Sequence, residues 1–301
     1  MSSAEAATVP TRPYRPTRPH RPTRRSGTVR TRLIGLGAVA ATLALSGCTA
    51  EDGRRLGFPK GITTDSDRVT SLWQGAWIAA FTVGAIVWGL IIWAIVAYRR
   101  RGNEMPAQTR YNMPIEALYT ILPVIIVAVM FFYTVRDQSV ILRKDPNPAA
   151  KVKVIGYRFA WTFAYTDPQN RFEPVYDVGT NETLPQLWIP NGESVEYTLI
   201  SNDVVHAFWI PVFLFKMDVI PGRQNIFYKT TNTTGTYIGR CSELCGLNHS
   251  HMLFTAKVVT PQEYLAHMAD LRRRGQVGDP QGHLSQTYDP NRNIAEGRAS
   301  Q

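Results

Sequence analysis

Cysteine is scarce in this chain: three residues in 301, at positions 48, 241 and 245. That excludes a disulfide-stapled scaffold, and the absence of any Cys-x-x-Cys-His excludes a covalently attached c-type haem. Charge is missing from Leu72 to Tyr98 and again from Ala117 to Val135. Lysine is absent from residues 1–47, where eight arginines face the single acid Glu5. This leader carries most of the formal charge of +10, so the rest of the chain is close to neutral. The high charge is therefore no argument for nucleic-acid binding. Residues 150–260 show no βαβ alternation, which excludes a thioredoxin-like carrier.

The leader itself has little to bury. Its Pro-Arg-Thr run from Thr11 to Arg25 cannot assemble a core. The apolar run Leu33 to Leu45 that follows is too short to span a bilayer and has the length of a signal-peptide h-region. It ends in Leu45-Ser46-Gly47-Cys48, which resembles a bacterial lipoprotein signal. That resemblance implies lipidation of Cys48; the alternative is an ordinary cysteine with cleavage elsewhere. Residues 1–47 are accordingly expected to be a signal peptide and 48–71 a polar linker.

The two uncharged runs are of membrane-spanning length. Trp73 and Trp77 at one end of the first, and Trp93 and Tyr98 at the other, suit the two interfaces. Arg99, Arg100, Arg101 and Arg110 make the intervening loop basic, which places it in the cytoplasm. Residues 72–136 are thus expected to form a transmembrane hairpin in the cell membrane, with both flanks extracytoplasmic and membrane lipids as neighbours. Pro123 interrupts the second run, which helices packed in a complex accommodate.

From about residue 145 to 260 the pattern changes to short alternating segments. Examples are Lys151–Ile155, Val195–Ile200, Asn225–Tyr228 and Leu253–Val259, separated by turns such as Pro190-Asn191-Gly192 and Pro221-Gly222. This predicts an all-β sandwich or barrel. Pro261 to Arg274 has the pattern of a short helix, and the polar remainder of 261–301 that of a tail.

The most informative stretch is Cys241-Ser242-Glu243-Leu244-Cys245-Gly246-Leu247-Asn248-His249-Ser250-His251-Met252. Two thiols, imidazoles and a thioether within twelve residues select copper over harder cations. A single blue-copper site needs one thiolate, so the second cysteine argues for a dinuclear centre. A Cys241–Cys245 disulfide is the competing possibility in an exported chain, but it leaves His249 and Met252 at this spacing unexplained. Spacing alone does not choose between His249 and His251.

The pattern Cys-x-Glu-x-Cys-x3-His-x2-Met closely resembles the dinuclear copper (CuA) loop of cytochrome c oxidase subunit II. The segments Asn202–Pro211, with His206, and Lys216–Arg223 resemble the same family, and the likeness extends from about Trp73 to Val259. It implies a cupredoxin Greek-key domain after the hairpin. It also implies Cys241 and Cys245 as bridging thiolates, His206 and His249 as caps, and Met252 and the Glu243 carbonyl as weak ligands. The implied role is the electron-entry subunit of an aa3-type, proton-translocating oxidase, taking electrons from a c-type cytochrome to haem in subunit I. Subunits I and III, and a donor tethered in a supercomplex with the cytochrome bc complex, are the implied partners. The Glu243 side chain would reach a magnesium ion shared with subunit I. Glu116 would lie at the entrance of a proton path, although an acid there also suits a helix N-terminus.

One departure stands out. The family's aromatic strand carries Gly-x-x-Trp-x-Trp, and its first Trp receives the electron. Here Gly156-Tyr157-Arg158-Phe159-Ala160-Trp161 places Phe159 at that position. Tyr157, Phe159 and Trp161 are then the entry candidates, with 159 and 161 expected on one face of a strand. A quinol-oxidase subunit would lack the copper ligands. A copper-carrying or assembly lipoprotein is the remaining alternative.

Overall fold

The two uncharged runs form the cores of two long helices. The computed structural model describes residues 35, 50–278 and 280, apart from 101, 103, 104, 106, 107, 181 and 182. The proposed lipidation site Cys48, the leader apart from residue 35, and residues 281–301 lie outside the described residues.

A short helix α1 (Ala50–Arg55) precedes α2 (Ser66–Ala97) and α3 (Met113–Ile141). Both α2 and α3 are long and apolar enough to cross a membrane. They also run past the uncharged segments at the end nearer the β-domain. There Arg68 of α2 meets Asp137 of α3 at 2.8 Å, and Arg136 adds a second contact at 3.0 Å. Pairing lets the helices carry charge into this polar zone. The segment expected as a plain linker, 48–71, therefore holds α1 and the first turns of α2. Trp73 fixes α1's exit by stacking on Phe58 at 4.7 Å and donating to the Leu56 carbonyl. At the start of α3, the Asn112 side chain accepts from the Ile115 amide and Pro114 lies in the first turn.

Ten strands follow: β1 Ala150–Tyr157, β2 Ala160–Thr166, β3 Val175–Val178, β4 Gln186–Pro190, β5 Ser194–Ser201, β6 His206–Ile210, β7 Phe215–Val219, β8 Asn225–Thr230, β9 Gly235–Cys241 and β10 Leu253–Val259. They form two five-stranded sheets, ordered β3-β2-β1-β5-β8 and β4-β10-β9-β6-β7. The β1–β5 and β4–β10 pairs are parallel and the other neighbours antiparallel. Aromatic side chains fill the space between the sheets. Phe208 stacks on Phe254 at 5.0 Å, and Tyr197 on Phe227 at 4.7 Å.

Helix α4 (Pro261–Arg273) closes one side. Its start is a reciprocal cap in which Thr260 Oγ1 accepts from the Glu263 amide and Glu263 accepts from the Thr260 amide. Tyr264, Met268 and Leu271 are its buried face.

The hairpin and the β-domain are joined by backbone as well as side chains. Thr63 bridges Thr231, Thr64 donates to the Thr230 carbonyl, and Asn232 donates to that of Ile62. Lys229, on β8 and 3% exposed, pairs with Asp65 before α2.

Candidate metal centre

His206 and Cys241 occupy strand ends, not loops: His206 opens β6 and Cys241 closes β9. The β6–β9 pairing, with Phe208 opposite Cys241, brings these distant positions together. The loop after Cys241 then turns back through a 3-10 turn at His249–His251 into β10. Cys241 donates its backbone N–H to the Met252 carbonyl at 3.0 Å, which closes the loop onto itself.

The donor atoms converge. His206 Nδ1 lies 3.9 Å from Cys241 Sγ, and the two Sγ atoms are 4.0 Å apart. Around Cys245 Sγ stand His249 Nδ1 at 3.5 Å and Met252 Sδ at 3.7 Å. The Glu243 carbonyl is 3.2 Å from Cys241 Sγ. Both cysteines are free thiols and buried, as are His206 and Met252. His251, the other histidine in the stretch, is exposed.

Asp203 is a residue that sequence reasoning left without a role, although its three-residue spacing from His206 was visible. Its Oδ1 accepts from His206 Nε2 at 2.8 Å. With Nε2 carrying that proton, Nδ1 keeps its lone pair and faces the thiols, the tautomer a metal ligand needs. Asp203 is itself held by the Arg158 and Val204 amides. Burial pushes its carboxyl pKa up, but these donors and His206 outweigh burial and leave it lowered. Burial pushes His206 down, and Asp203 and Cys241 together outweigh that and leave it raised.

The two thiols are unequal. Burial raises both. For Cys241, His206 and backbone groups outweigh burial and lower the pKa. For Cys245, burial and the neighbouring Cys241 both push it up. The second thiolate therefore needs a cation beside it, which a metal supplies. Two soft thiols, two imidazoles and a thioether in a buried pocket fit copper, and the paired thiols fit a dinuclear centre.

Two family models and several relatives match this chain in sequence. The family model described as the periplasmic domain of cytochrome c oxidase subunit II matches residues 150–259, and that of its transmembrane domain matches 52–136. A probable cytochrome c oxidase subunit 2 of Streptomyces avermitilis is 44% identical over 290 residues, covering 84% of this chain and 91% of the relative. This chain belongs to the cytochrome c oxidase subunit II family. The subunit 2 of Mycobacterium tuberculosis is 33% identical over 288 residues, covering 77% and 79% of the two chains. The periplasmic domain of the Bradyrhizobium japonicum subunit II overlays 43% of this chain and 97% of its own, with 28% identity and a TM-score of 0.38. Membership displaces the carrier reading: a subunit II belongs to a multi-subunit, proton-translocating oxidoreductase and works with other oxidase subunits.

The aromatic candidates part company in the fold. The β1–β2 hairpin turns at Arg158 and Phe159, so 159 lies outside the strand and the expected shared face with 161 does not form. Trp161 is wholly buried, with its Nε1 donating to the Met252 carbonyl at 3.4 Å, and it is not part of a docking patch. Phe159 instead packs on the copper loop. A Cβ placed on Gly246 would meet its ring at 2.9 Å, so glycine is what lets loop and ring approach. Tyr157 is half-buried and donates to the Gly179 carbonyl at 2.6 Å. Glu243 is exposed. Glu116 accepts from the Asn112 amide at 2.9 Å, a helix-capping contact.

Proposed function

We propose that this chain is the electron-entry subunit of an aa3-type oxidase, with His206, Cys241, Cys245, His249, Met252 and the Glu243 carbonyl holding its copper. The observation that supports this best is the convergence of two buried thiols, two imidazoles and a thioether between β6, β9 and β10. Bound there, a copper pair supplies a one-electron relay between a c-type cytochrome and the haem of subunit I. The chain's own part is to orient and to exclude water. Asp203 fixes the His206 ring, the sheet pairing holds Cys241 against His206, and Phe208, Phe254 and Trp161 keep the pocket dry.

Phe159 is the entry candidate that this arrangement favours, since it touches the loop between Cys245 and Leu247. Stopped-flow oxidation of soluble cytochrome c at low salt tests it, because weak screening there favours docking. Phe159→Trp is expected to accelerate the reaction with copper spectra unchanged. No acceleration would assign entry to another route, as a tethered cytochrome in a supercomplex would provide.

Two carboxylates receive roles in the assembled complex. Glu243, exposed beside the pocket, would complete a magnesium site with subunit I, and Glu116 would stand at the mouth of a proton path. In purified oxidase, Glu243→Gln is expected to lower bound magnesium, and Glu116→Gln to slow turnover at normal copper content. Wild-type magnesium or unchanged oxygen consumption would reject the respective role, leaving Glu116 as a helix cap.

The basic loop with Arg99, Arg100 and Arg110 supports a cytoplasmic turn and an extracytoplasmic copper domain. Protease accessibility in sealed vesicles tests that side, and the intact mass of the mature chain tests lipidation of Cys48.

A further inference from the structure

The hairpin carries a cleft that the copper centre does not use. Between α2 and α3, at the end nearer the β-domain, lies an apolar cavity of about 670 Å³. Its walls include Leu72, Ala76 and Ala79 of α2 and Val129, Met130 and Tyr133 of α3. A second, polar pocket of about 480 Å³ is lined by Asp65, Arg68, Arg143, Lys144, Asp145 and Lys229.

The two cavities adjoin: Arg68, which lines the polar one, pairs with Asp137, which lines the apolar one. On α2, Arg68, Leu72, Ala76 and Ala79 follow one another at spacings of three and four, a single helical stripe. On α3, Met130, Thr134, Asp137 and Ile141 do the same. The polar pocket therefore sits above the apolar one along the same pair of helix faces. Trp73, an aromatic of the kind found at membrane interfaces, is among the residues lining the apolar cavity.

Length and charge say what fits. Along α2 the apolar lining runs from Val69 to Ala79, a rise of about 15 Å and close to the ~15 Å of one hydrocarbon leaflet. A transmembrane helix from another subunit would run the full ~30 Å, about twice the length of this cavity. In the polar pocket four cations face two acids. Lys229 is paired with Asp65, and Arg68 with Asp137. Arg143 and Lys144 are exposed and make no ion pair among the described residues.

We infer that this seam binds one membrane phospholipid with an anionic headgroup. Its phosphate rests against Arg143 and Lys144, and one acyl chain runs down the groove to Ala79.

The test uses the full-length chain in detergent, with phosphatidylglycerol or phosphatidylcholine added and retention read by native mass spectrometry. Wild-type chain is expected to hold one phosphatidylglycerol and to prefer it over phosphatidylcholine. Arg143→Gln with Lys144→Gln removes two surface cations and should weaken phosphatidylglycerol about thirtyfold, abolishing the preference. Ala76→Leu fills the groove and should release both lipids. Equal retention of the two lipids by wild type overturns the inference, and that comparison needs no variant to fold. So do displacement of phosphatidylglycerol by inorganic phosphate alone and full retention in the double variant. In assembled oxidase, loss of another subunit from Ala76→Leu at unchanged lipid content would assign the seam to a helix and overturn it too.

Discussion

Copper added to the full-length chain is expected to bind as two ions per chain, and the oxidised form to show one unpaired electron shared over two copper nuclei. The reason is the pair of buried thiols, 4.0 Å apart, each with its own imidazole: His206 beside Cys241 and His249 beside Cys245. Cys245→Ser leaves a single thiolate, so the pair should be lost and at most one copper remain, with the hyperfine pattern of one nucleus. Met252→Leu should keep both ions and shift the potential, because a weak axial ligand tunes more than it holds. Asp203→Asn should also keep both ions but weaken their binding by about 10- to 100-fold, the usual effect of losing the partner that orients a ligating histidine. Metal analysis and electron paramagnetic resonance read all four proteins. One copper per wild-type chain, or a surviving pair in Cys245→Ser, would sink the dinuclear assignment.

The second large effect is expected at the joint between hairpin and β-domain. Lys229 is 3% exposed, pairs with Asp65, lies 3.5 Å from the Ile141 carbonyl at the end of α3, and sits over the Phe215 ring at 4.4 Å. Burial lowers its pKa, and the Asp65 carboxylate only partly offsets this. A group lowered in this way is held charged at a cost, so the pair orients the joint more than it stabilises it. Removing one partner is nevertheless severe, because the largely buried Asp65 carboxylate loses its cation. Lys229→Ala should weaken the joint by about 3 kcal/mol, the range for breaking a buried pair. Hydrogen exchange at the Thr64 and Asn232 amides, which close this joint, should then accelerate roughly a hundredfold. Lys229→Met combined with Asp65→Asn should recover most of the protection. Unchanged exchange in Lys229→Ala would show that the backbone bridge alone holds the domain.

How much of this was legible beforehand depends on sequence distance. The donors from Cys241 to Met252 lie in one twelve-residue stretch, so their chemistry can be judged from spacing. His206 was recognisable only through a family likeness, because β6 reaches Cys241 by a sheet pairing that no local pattern encodes. Asp203 could have been noticed three residues before His206, but nothing in a lone acid says which ring atom it will hold. The alternation rule misled at Phe159 and Trp161. It assumes a continuous strand, and the chain turns between β1 and β2 there.

The sequence by itself determined the two apolar helices, since uninterrupted uncharged runs of that length have no other favourable solution in a bilayer. It also determined the β character of residues 150–260 and the soft-ligand chemistry of the loop, both written in nearest neighbours. Only the tertiary structure decided which charges meet. Arg68 and Asp137 are 69 residues apart, and Asp65 and Lys229 are 164 apart. It also decided that Trp161 is packed inside while Phe159 lies against the copper loop. Contacts of that range depend on how two sheets and two helices close on one another, and periodicity carries no information about closure.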